Sequence, residues 1–100
     1  MKHLCLLLLI VFAKTCCSQN LIPNGSFEQY TSCPTQASEI DSVLYWMTPS
    51  WGTPDYFNLC GNTAYSTPEN FAGNQQPYDG VAYAGIFLFY FYGNNYREYI

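Results

Sequence analysis

The sequence predicts an all-β protein, a β-sandwich or jelly roll, on three observations. Its apolar segments are short and rich in β-branched and aromatic residues, turn residues interrupt it every few positions, and no long helical periodicity occurs. This combination is typical of short antiparallel strands joined by turns. We therefore expect few and short strands connected by long, ordered loops.

The first 18 residues are typical of a secretory signal peptide. A basic start is followed by an apolar run and then by small residues up to Ser18. The apolar run is too short to cross a bilayer, which needs about 20 residues. Cleavage after Ser18 is the main prediction, and lipidation at Cys16 or Cys17 is the alternative. Both predict an exported protein, located outside the cell, on the cell surface or on the periplasm-facing side of an outer membrane.

The remaining chain, residues 19–100, is acidic and contains no Lys and no His. It has one base, Arg97, and seven acids, which give a net charge of −6. Nucleic-acid binding and attraction to anionic lipid both require a basic surface, so these partners are excluded. The lack of His also excludes His-based triads and His zinc sites. The acids are scattered without the pairing that hydrolysis of glycosides requires, so no enzyme is predicted here.

Cys33 and Cys60 are the two cysteines that remain after the signal segment. An even pair in an exported chain is typical of a disulfide, which for a loop of this size would stabilise by about 3 kcal/mol. Two free buried thiols are the alternative. Two cysteines alone do not supply the ligands of a structural zinc site.

Between residues 20 and 77 the sequence predicts one extended segment, one helical turn and a long loop region. Residues 20–30 are predicted to be extended, with a turn at Pro23-Asn24-Gly25. Residues 38–44 have the pattern of one helical turn with Ser38 as its N-cap. The stretch 46–77 contains so many Pro and Gly residues that no regular element is predicted there. Its aromatic content nevertheless favours ordered, packed loops over disorder.

Further strands are predicted after a turn at Asp79-Gly80. Residues 81–93 are rich in β-branched and aromatic residues, which favours one or two strands covered on both faces. This run is too short for a transmembrane span. Tyr96–Ile100 has the pattern of another strand with no closing turn. We therefore expect an incomplete module, with further domains beyond Ile100.

The segment NLIPNGSFE, residues 20–28, resembles the opening strand of galactose-binding-like β-sandwich modules. Trp46 and the Gly80–Tyr83 segment fit the same pattern. The resemblance covers most of residues 20–100 and extends to N-terminal modules of secreted and surface proteins from Bacteroidetes-type bacteria. Those modules are often linked to OmpA-like or secretion-sorting domains. The resemblance implies a jelly-roll sandwich that is truncated here at its C-terminus.

The same resemblance implies a structural calcium ion. Carbohydrate-binding members of this family often hold one with the Glu of the opening motif and with groups near the later Gly turn. Carried over by position, these ligands are Glu28 and Asp79, and hard oxygen ligands suit calcium. The alternative is that Glu28 is a solvated strand residue.

The binding hypothesis depends on the aromatic stretch of residues 45–60. Trp51 and Tyr56 could stack on sugar rings while Asn58 bonds hydroxyl groups, a combination usual in ligand sites. Core packing is the alternative for every ring, and Trp46 is the one that we predict to point inward. The sequence thus predicts a non-catalytic module that binds carbohydrate or attaches to a cell-surface polymer. The alternatives are a structural spacer of an OmpA-like surface protein and an accessory domain of a secreted hydrolase.

Overall fold

The computed structural model describes residues 21–88, together with Glu98 and Ile100. These residues form one 3-10 helix and four strands: Ile40–Ser42, β1 (Asp55–Asn58), β2 (Glu69–Asn70), β3 (Gly73–Asn74) and β4 (Ala82–Gly85). Within the described ranges there is no α-helix, and no helix is long and apolar enough to cross a membrane. The predicted all-β class is confirmed. The signal segment, the lipidation candidates, residues 89–93 of the predicted strand region and most of the predicted strand at residues 96–100 lie outside the described residues.

The strands form two separate antiparallel sheets of two strands each. β1 pairs with β4, so that Asp55 lies opposite Gly85 and Asn58 opposite Ala82. β2 and β3 form a short hairpin, and an isolated bridge joins Tyr30 to another part of the chain, Val43. Two sheets of this size do not define a jelly roll, which remains a prediction.

The hydrophobic core packs the 3-10 helix against the β1–β4 sheet. Its buried members come from the helix, from the residue that follows it and from both strands: Ile40, Val43, Tyr56 and Ala82. Three partly buried side chains lie against this cluster, namely Phe27, Trp46 and Ala84. The rings of Phe27 and Trp46 are 4.7 Å apart. Trp46 is therefore an inward-pointing anchor, as the sequence predicts.

Asn24 fixes the opening segment. Its side-chain amide donates to the carbonyls of Gln29 at 2.8 Å and Leu44 at 2.9 Å, and its side-chain oxygen accepts the Gln29 N–H. Its main-chain carbonyl accepts the Trp46 indole N–H at 3.0 Å. The predicted turn at residues 23–25 is present. Apart from the bridge at Tyr30, however, this segment is held by side-chain bonds and not by strand pairing.

Two local predictions are wrong. The predicted helical turn is present as a 3-10 helix, but the N-cap prediction is wrong: the helix has no side-chain cap, and Ser38 lies before it with a φ of 67°. The stretch in which no regular element is expected contains β1, whose four residues are all buried. The sequence does not indicate this strand because it begins and ends with polar residues, Asp55 and Asn58. The Asp55 carboxylate accepts the Ser38 N–H at 2.9 Å, and the Asn58 amide is bonded internally.

The predicted disulfide joins Cys33 to Cys60, with Cα atoms 5.6 Å apart. Hydrogen bonds reinforce the same junction. The Asn62 N–H donates to the Pro34 carbonyl at 3.2 Å, and its side-chain amide donates to the Thr35 carbonyl at 2.7 Å. The segment that follows β1 is therefore fastened to the loop that precedes the 3-10 helix.

Candidate ligand-binding loops

Two of the predicted ligand-binding residues, Tyr56 and Asn58, lie inside the molecule. Tyr56 is fully buried and Asn58 is 1% exposed. The Tyr56 hydroxyl donates to the Phe27 carbonyl at 2.9 Å and accepts the Asn58 amide at 2.7 Å. Burial raises the pKa of Tyr56 to about 12, so the phenol remains a donor at neutral pH. A buried ring presents no face to a ligand, so the predicted binding role of both residues is corrected to a structural one.

Trp51, the third predicted ligand-binding residue, is on the surface. Its side chain is 92% exposed, and it lies in a turn where the Gly52 N–H donates to the Ser50 hydroxyl at 3.2 Å. We call residues 48–53 the Trp51 loop. It leads directly into β1, and its aromatic ring is available for contact with another molecule.

Carboxylates hold both ends of the Trp51 loop. At its start, the Thr48 N–H donates to Asp41 at 2.8 Å. At its end, Glu98 accepts the Thr53 N–H at 3.2 Å and the Thr53 hydroxyl at 2.9 Å. Glu98 is 6% exposed, and its second oxygen accepts the Phe87 N–H at 2.6 Å. A loop fixed at both ends loses less conformational entropy when it binds a ligand.

The predicted calcium ligands lie at the turn that precedes β4. The Glu28 carboxylate accepts the Val81 N–H at 2.8 Å. Gly80 has a φ of 66°, and a Cβ atom there would collide with Glu28. Asp79 is exposed in the same turn. Among the residues that the structure describes, no three His, Cys, Asp or Glu side chains are grouped so that they could hold a metal ion.

Main-chain amides, and not cations, are the partners of most acidic side chains. The described ranges contain no Lys, Arg or His. Five of the seven carboxylates accept loop N–H groups, which are strong bonds because the acceptor is charged. They are Glu28, Glu39, Asp41, Asp55 and Glu98. The remaining two, Glu69 and Asp79, make no bond to the main chain of residues 21–88, 98 or 100.

A second candidate region is a polar cleft that follows β1, with a volume of about 610 Å³. We call it the 61–70 cleft, after the residues that line it: Gly61, Thr63, Ser66, Thr67, Pro68, Glu69 and Asn70. These residues are not predicted from the sequence to form a ligand site. The sequence feature that could have indicated the cleft is the run STPEN at residues 66–70, which is rich in hydroxyl and amide side chains. This run lies between the aromatic residues Tyr65 and Phe71 and follows Asn62-Thr63.

The walls of the 61–70 cleft are fixed by internal hydrogen bonds. The Asn58 N–H donates to the Tyr65 carbonyl at 3.1 Å, which attaches the cleft segment to β1. The Phe71 N–H donates to the Ala64 carbonyl at 3.0 Å and closes the segment on itself. A Cβ atom at Gly61 would collide with the Tyr65 carbonyl, so this close approach requires glycine. The cleft is therefore formed without a ligand.

An aromatic cluster supports the cleft from one side. Phe57 is buried in β1, and its ring lies 6.2 Å from Tyr65, 5.7 Å from Phe71 and 5.1 Å from Tyr83. Phe71 is half exposed and contacts Tyr65 edge-on at 5.3 Å. The Asn70 amide bonds the Tyr83 hydroxyl, which ties the cleft to this cluster.

No family model matches this chain, and no curated protein or solved structure gives a significant match. The class of the protein is therefore described by its own structure. It is an all-β, loop-rich, disulfide-bonded domain with an exposed Trp on a tethered loop and a preformed polar cleft.

Proposed function

We propose that this chain is part of a non-catalytic, exported binding module that attaches to carbohydrate or to another cell-surface polymer. The observation that carries the proposal is Trp51, an exposed indole on a loop whose two ends are held by carboxylates. A flat ring can cover the C–H face of a sugar while neighbouring polar groups bond its hydroxyls. The signal-like start and the resemblance to galactose-binding-like modules support the same proposal.

The proposal includes the predicted galactose-binding-like jelly-roll fold. In a galactose-binding-like jelly roll, the β1–β4 pair would be completed by further strands. Glu28 would then lie beside the Gly turn, as it does here through its bond to Val81. This contact between the opening motif and the later turn supports the resemblance. The structural calcium remains part of the proposal.

The environment of the acids supports a non-catalytic module. A glycosidase needs two carboxylates that face a common cavity at a defined separation. Here Asp55 and Glu98 are both buried, yet each accepts main-chain N–H groups. Carboxylates committed to the backbone in this way are poor candidates for acid–base work on a substrate.

Retention on insoluble polysaccharides tests the proposal. The secreted chain, the Trp51→Ala variant and a Tyr78→Ala control would be passed over cellulose, chitin and peptidoglycan. Tyr78 is fully exposed and precedes β4. Because β1 and β4 are antiparallel, the chain after Tyr78 enters β4 beside the end of β1, whereas the Trp51 loop precedes the start of β1. Tyr78 therefore precedes the opposite end of the sheet from the Trp51 loop.

We expect at least one polymer to retain the wild-type chain. Loss of the Trp51 ring should weaken binding about tenfold, as for a central aromatic contact, whereas Tyr78→Ala should bind like the wild type. Equal retention of the Trp51→Ala variant would contradict the proposal. Retention of a folded wild-type chain on none of the polymers would favour the structural spacer instead.

A further inference from the structure

Glu69 differs from the other acidic residues of the molecule. Five carboxylates are committed to main-chain N–H groups, and Asp79 lies in an exposed turn. Glu69 lines the 61–70 cleft, and the contact that it makes within the described ranges is with the Asn74 side-chain amide at 3.3 Å. It therefore carries a charge in a preformed cleft with bonding capacity to spare.

Apart from the exposed Thr63, the other polar side chains of the cleft already donate their hydrogens within the chain. The Thr67 hydroxyl donates its hydrogen to the Val81 carbonyl at 2.8 Å, and the Ser66 hydroxyl donates to the Thr67 carbonyl at 3.4 Å. The Asn70 amide donates to the Ser66 carbonyl at 3.1 Å. A hydroxyl whose hydrogen is used internally has only lone pairs left for a ligand. The cleft therefore suits a ligand that brings several donors.

A primary ammonium group matches this set of acceptors. It carries three N–H donors and no acceptor, and its positive charge is complementary to Glu69. The described ranges contain seven acids and no base, so the field of the whole surface also attracts cations and repels anions. Pro68 lines the same cleft and adds an apolar face to it.

We propose that the 61–70 cleft is a second ligand site, separate from Trp51, which binds an amino-sugar unit through its ammonium group. An amino sugar supplies the ammonium for Glu69, hydroxyl donors for the remaining acceptors and a C–H face for Pro68. The inference rests on the proposed function for the kind of polymer that is bound. It depends on different residues, so the two can fail separately.

Matched oligosaccharides test the inference directly. The probes are a glucosamine tetramer, its N-acetylated counterpart and a glucose tetramer, titrated calorimetrically at low ionic strength. The variants are Glu69→Gln, which keeps the size of the side chain, and Glu39→Gln, which makes the same change outside the cleft and keeps an oxygen acceptor for the Thr35 N–H. Circular dichroism of both variants checks that the fold is retained. A lysine tetrapeptide serves as an ammonium probe without a sugar.

We expect the wild type to bind the glucosamine tetramer about fivefold more tightly than the N-acetylated one, the upper range for a solvent-accessible ion pair. Glu69→Gln should abolish this preference and Glu39→Gln should retain it. Added salt should reduce it. Equal affinity for the aminated and N-acetylated tetramers would overturn the inference. If the lysine tetrapeptide binds as tightly as the glucosamine tetramer, the inference that the cleft recognises a sugar would be overturned.

Trp51→Ala separates this inference from the proposed function. If polymer binding requires Trp51 but Glu69→Gln has no effect on the glucosamine preference, the cleft is not the amine site and the proposed function stands. If the Glu69-dependent preference persists in the Trp51→Ala variant while polymer retention is unchanged, the proposed role of Trp51 fails and the cleft site stands.

Discussion

The Trp51 loop and the 61–70 cleft lie on either side of β1 and are held in different ways. Two carboxylates outside the Trp51 loop hold its ends: Asp41, seven residues before Thr48, and Glu98, 45 residues after Thr53. Main-chain bonds and nearby amides hold the cleft, and the disulfide fastens its start. The loop presents a single ring outward, whereas the cleft segment borders an open depression in the surface.

The difference shows how a chain with few strands orders its loops. Loop N–H groups must find acceptors when strands do not supply them. The cleft segment folds back on itself and uses its own carbonyls. In the Trp51 loop, which contains Pro49 and ends before Pro54, side-chain oxygens of Asp41, Ser50 and Glu98 accept the main-chain N–H groups. We therefore expect the cleft to depend on the cross-link and the loop to depend on individual acids.

Removal of the disulfide should have the largest effect and should fall mainly on the cleft. Cys60 directly precedes Gly61, the first residue of the cleft. In the chain-entropy model, Cys33→Ser with Cys60→Ser should lower the free energy of unfolding by about 3 kcal/mol. Urea unfolding measures this loss, and hydrogen exchange locates it.

Amides of the cleft, such as those of Tyr65 and Phe71, should lose more protection than Thr48 in the Trp51 loop. The reduced wild-type protein is the control for the effect of the serine substitutions. Equal loss of protection in both regions would show that the disulfide does not act locally.

Glu98→Ala should have the next largest effect and should fall on the Trp51 loop. The change leaves the N–H groups of Thr53 and Phe87 without their acceptor. An unsatisfied donor costs about 1–3 kcal/mol when it stays buried, and partial hydration should limit the total to about 2 kcal/mol. Urea unfolding and exchange of the Thr53 amide provide the measurement.

Glu98→Gln is the matched control, since it keeps one oxygen acceptor and should lose less stability. The amide of Tyr65 in the cleft should exchange as in the wild type. Loss of protection there comparable to that of Thr53 would mean that the two regions unfold as one unit, and the comparison would no longer hold.

Asp55→Asn should have the smallest effect, and it should be stabilising. Burial raises the pKa of Asp55; the bond from the Ser38 N–H lowers it, and the neighbouring charge of Glu98 raises it further. A carboxyl whose pKa is higher in the folded than in the unfolded protein stabilises the folded state when it is protonated. This contribution to the free energy of unfolding is lost as the pH rises through the folded-state pKa. The wild type therefore loses stability from this group above its ordinary pKa of 3.8.

The Asn side chain keeps an oxygen for the Ser38 N–H but has no charge to bury. We expect the Asp55→Asn variant to exceed the wild type in stability at pH 7, with the difference shrinking as the pH falls toward 4. Thermal unfolding across this pH range measures it, and Asp79→Asn controls for the loss of one negative charge. A variant that is less stable than the wild type at pH 7 would refute the prediction.

Local chemistry explains which features could be predicted from the sequence. Pro23-Asn24-Gly25 is a turn in any context because of its backbone preferences, and the β-branched and aromatic run after Gly80 contains β4. The cysteine pair predicts a disulfide because residues 19–100 contain no other cysteine. The exposure of Trp51 fits its place between turn residues, although the sequence left core packing open.

β1 and the cleft could not be predicted in the same way. β1 begins with Asp55 and ends with Asn58, residues that are rare in strands. It forms because Ser38, Tyr56 and Cys60 supply partners for these polar groups. The sequence also suggests that Tyr56 faces a ligand, because burial of a ring depends on what packs against it and not on its neighbours in the chain.

By itself, the sequence determined the all-β class, the acidic surface, the cross-link and the positions of the turns, since these depend on composition and short-range backbone preferences. Only the tertiary structure decided which acids bond the backbone and which one is left in a cleft. The reason is that five carboxylates reach loop amides up to 53 residues away in the chain, and no local pattern distinguishes Glu28 or Glu98 from Glu69.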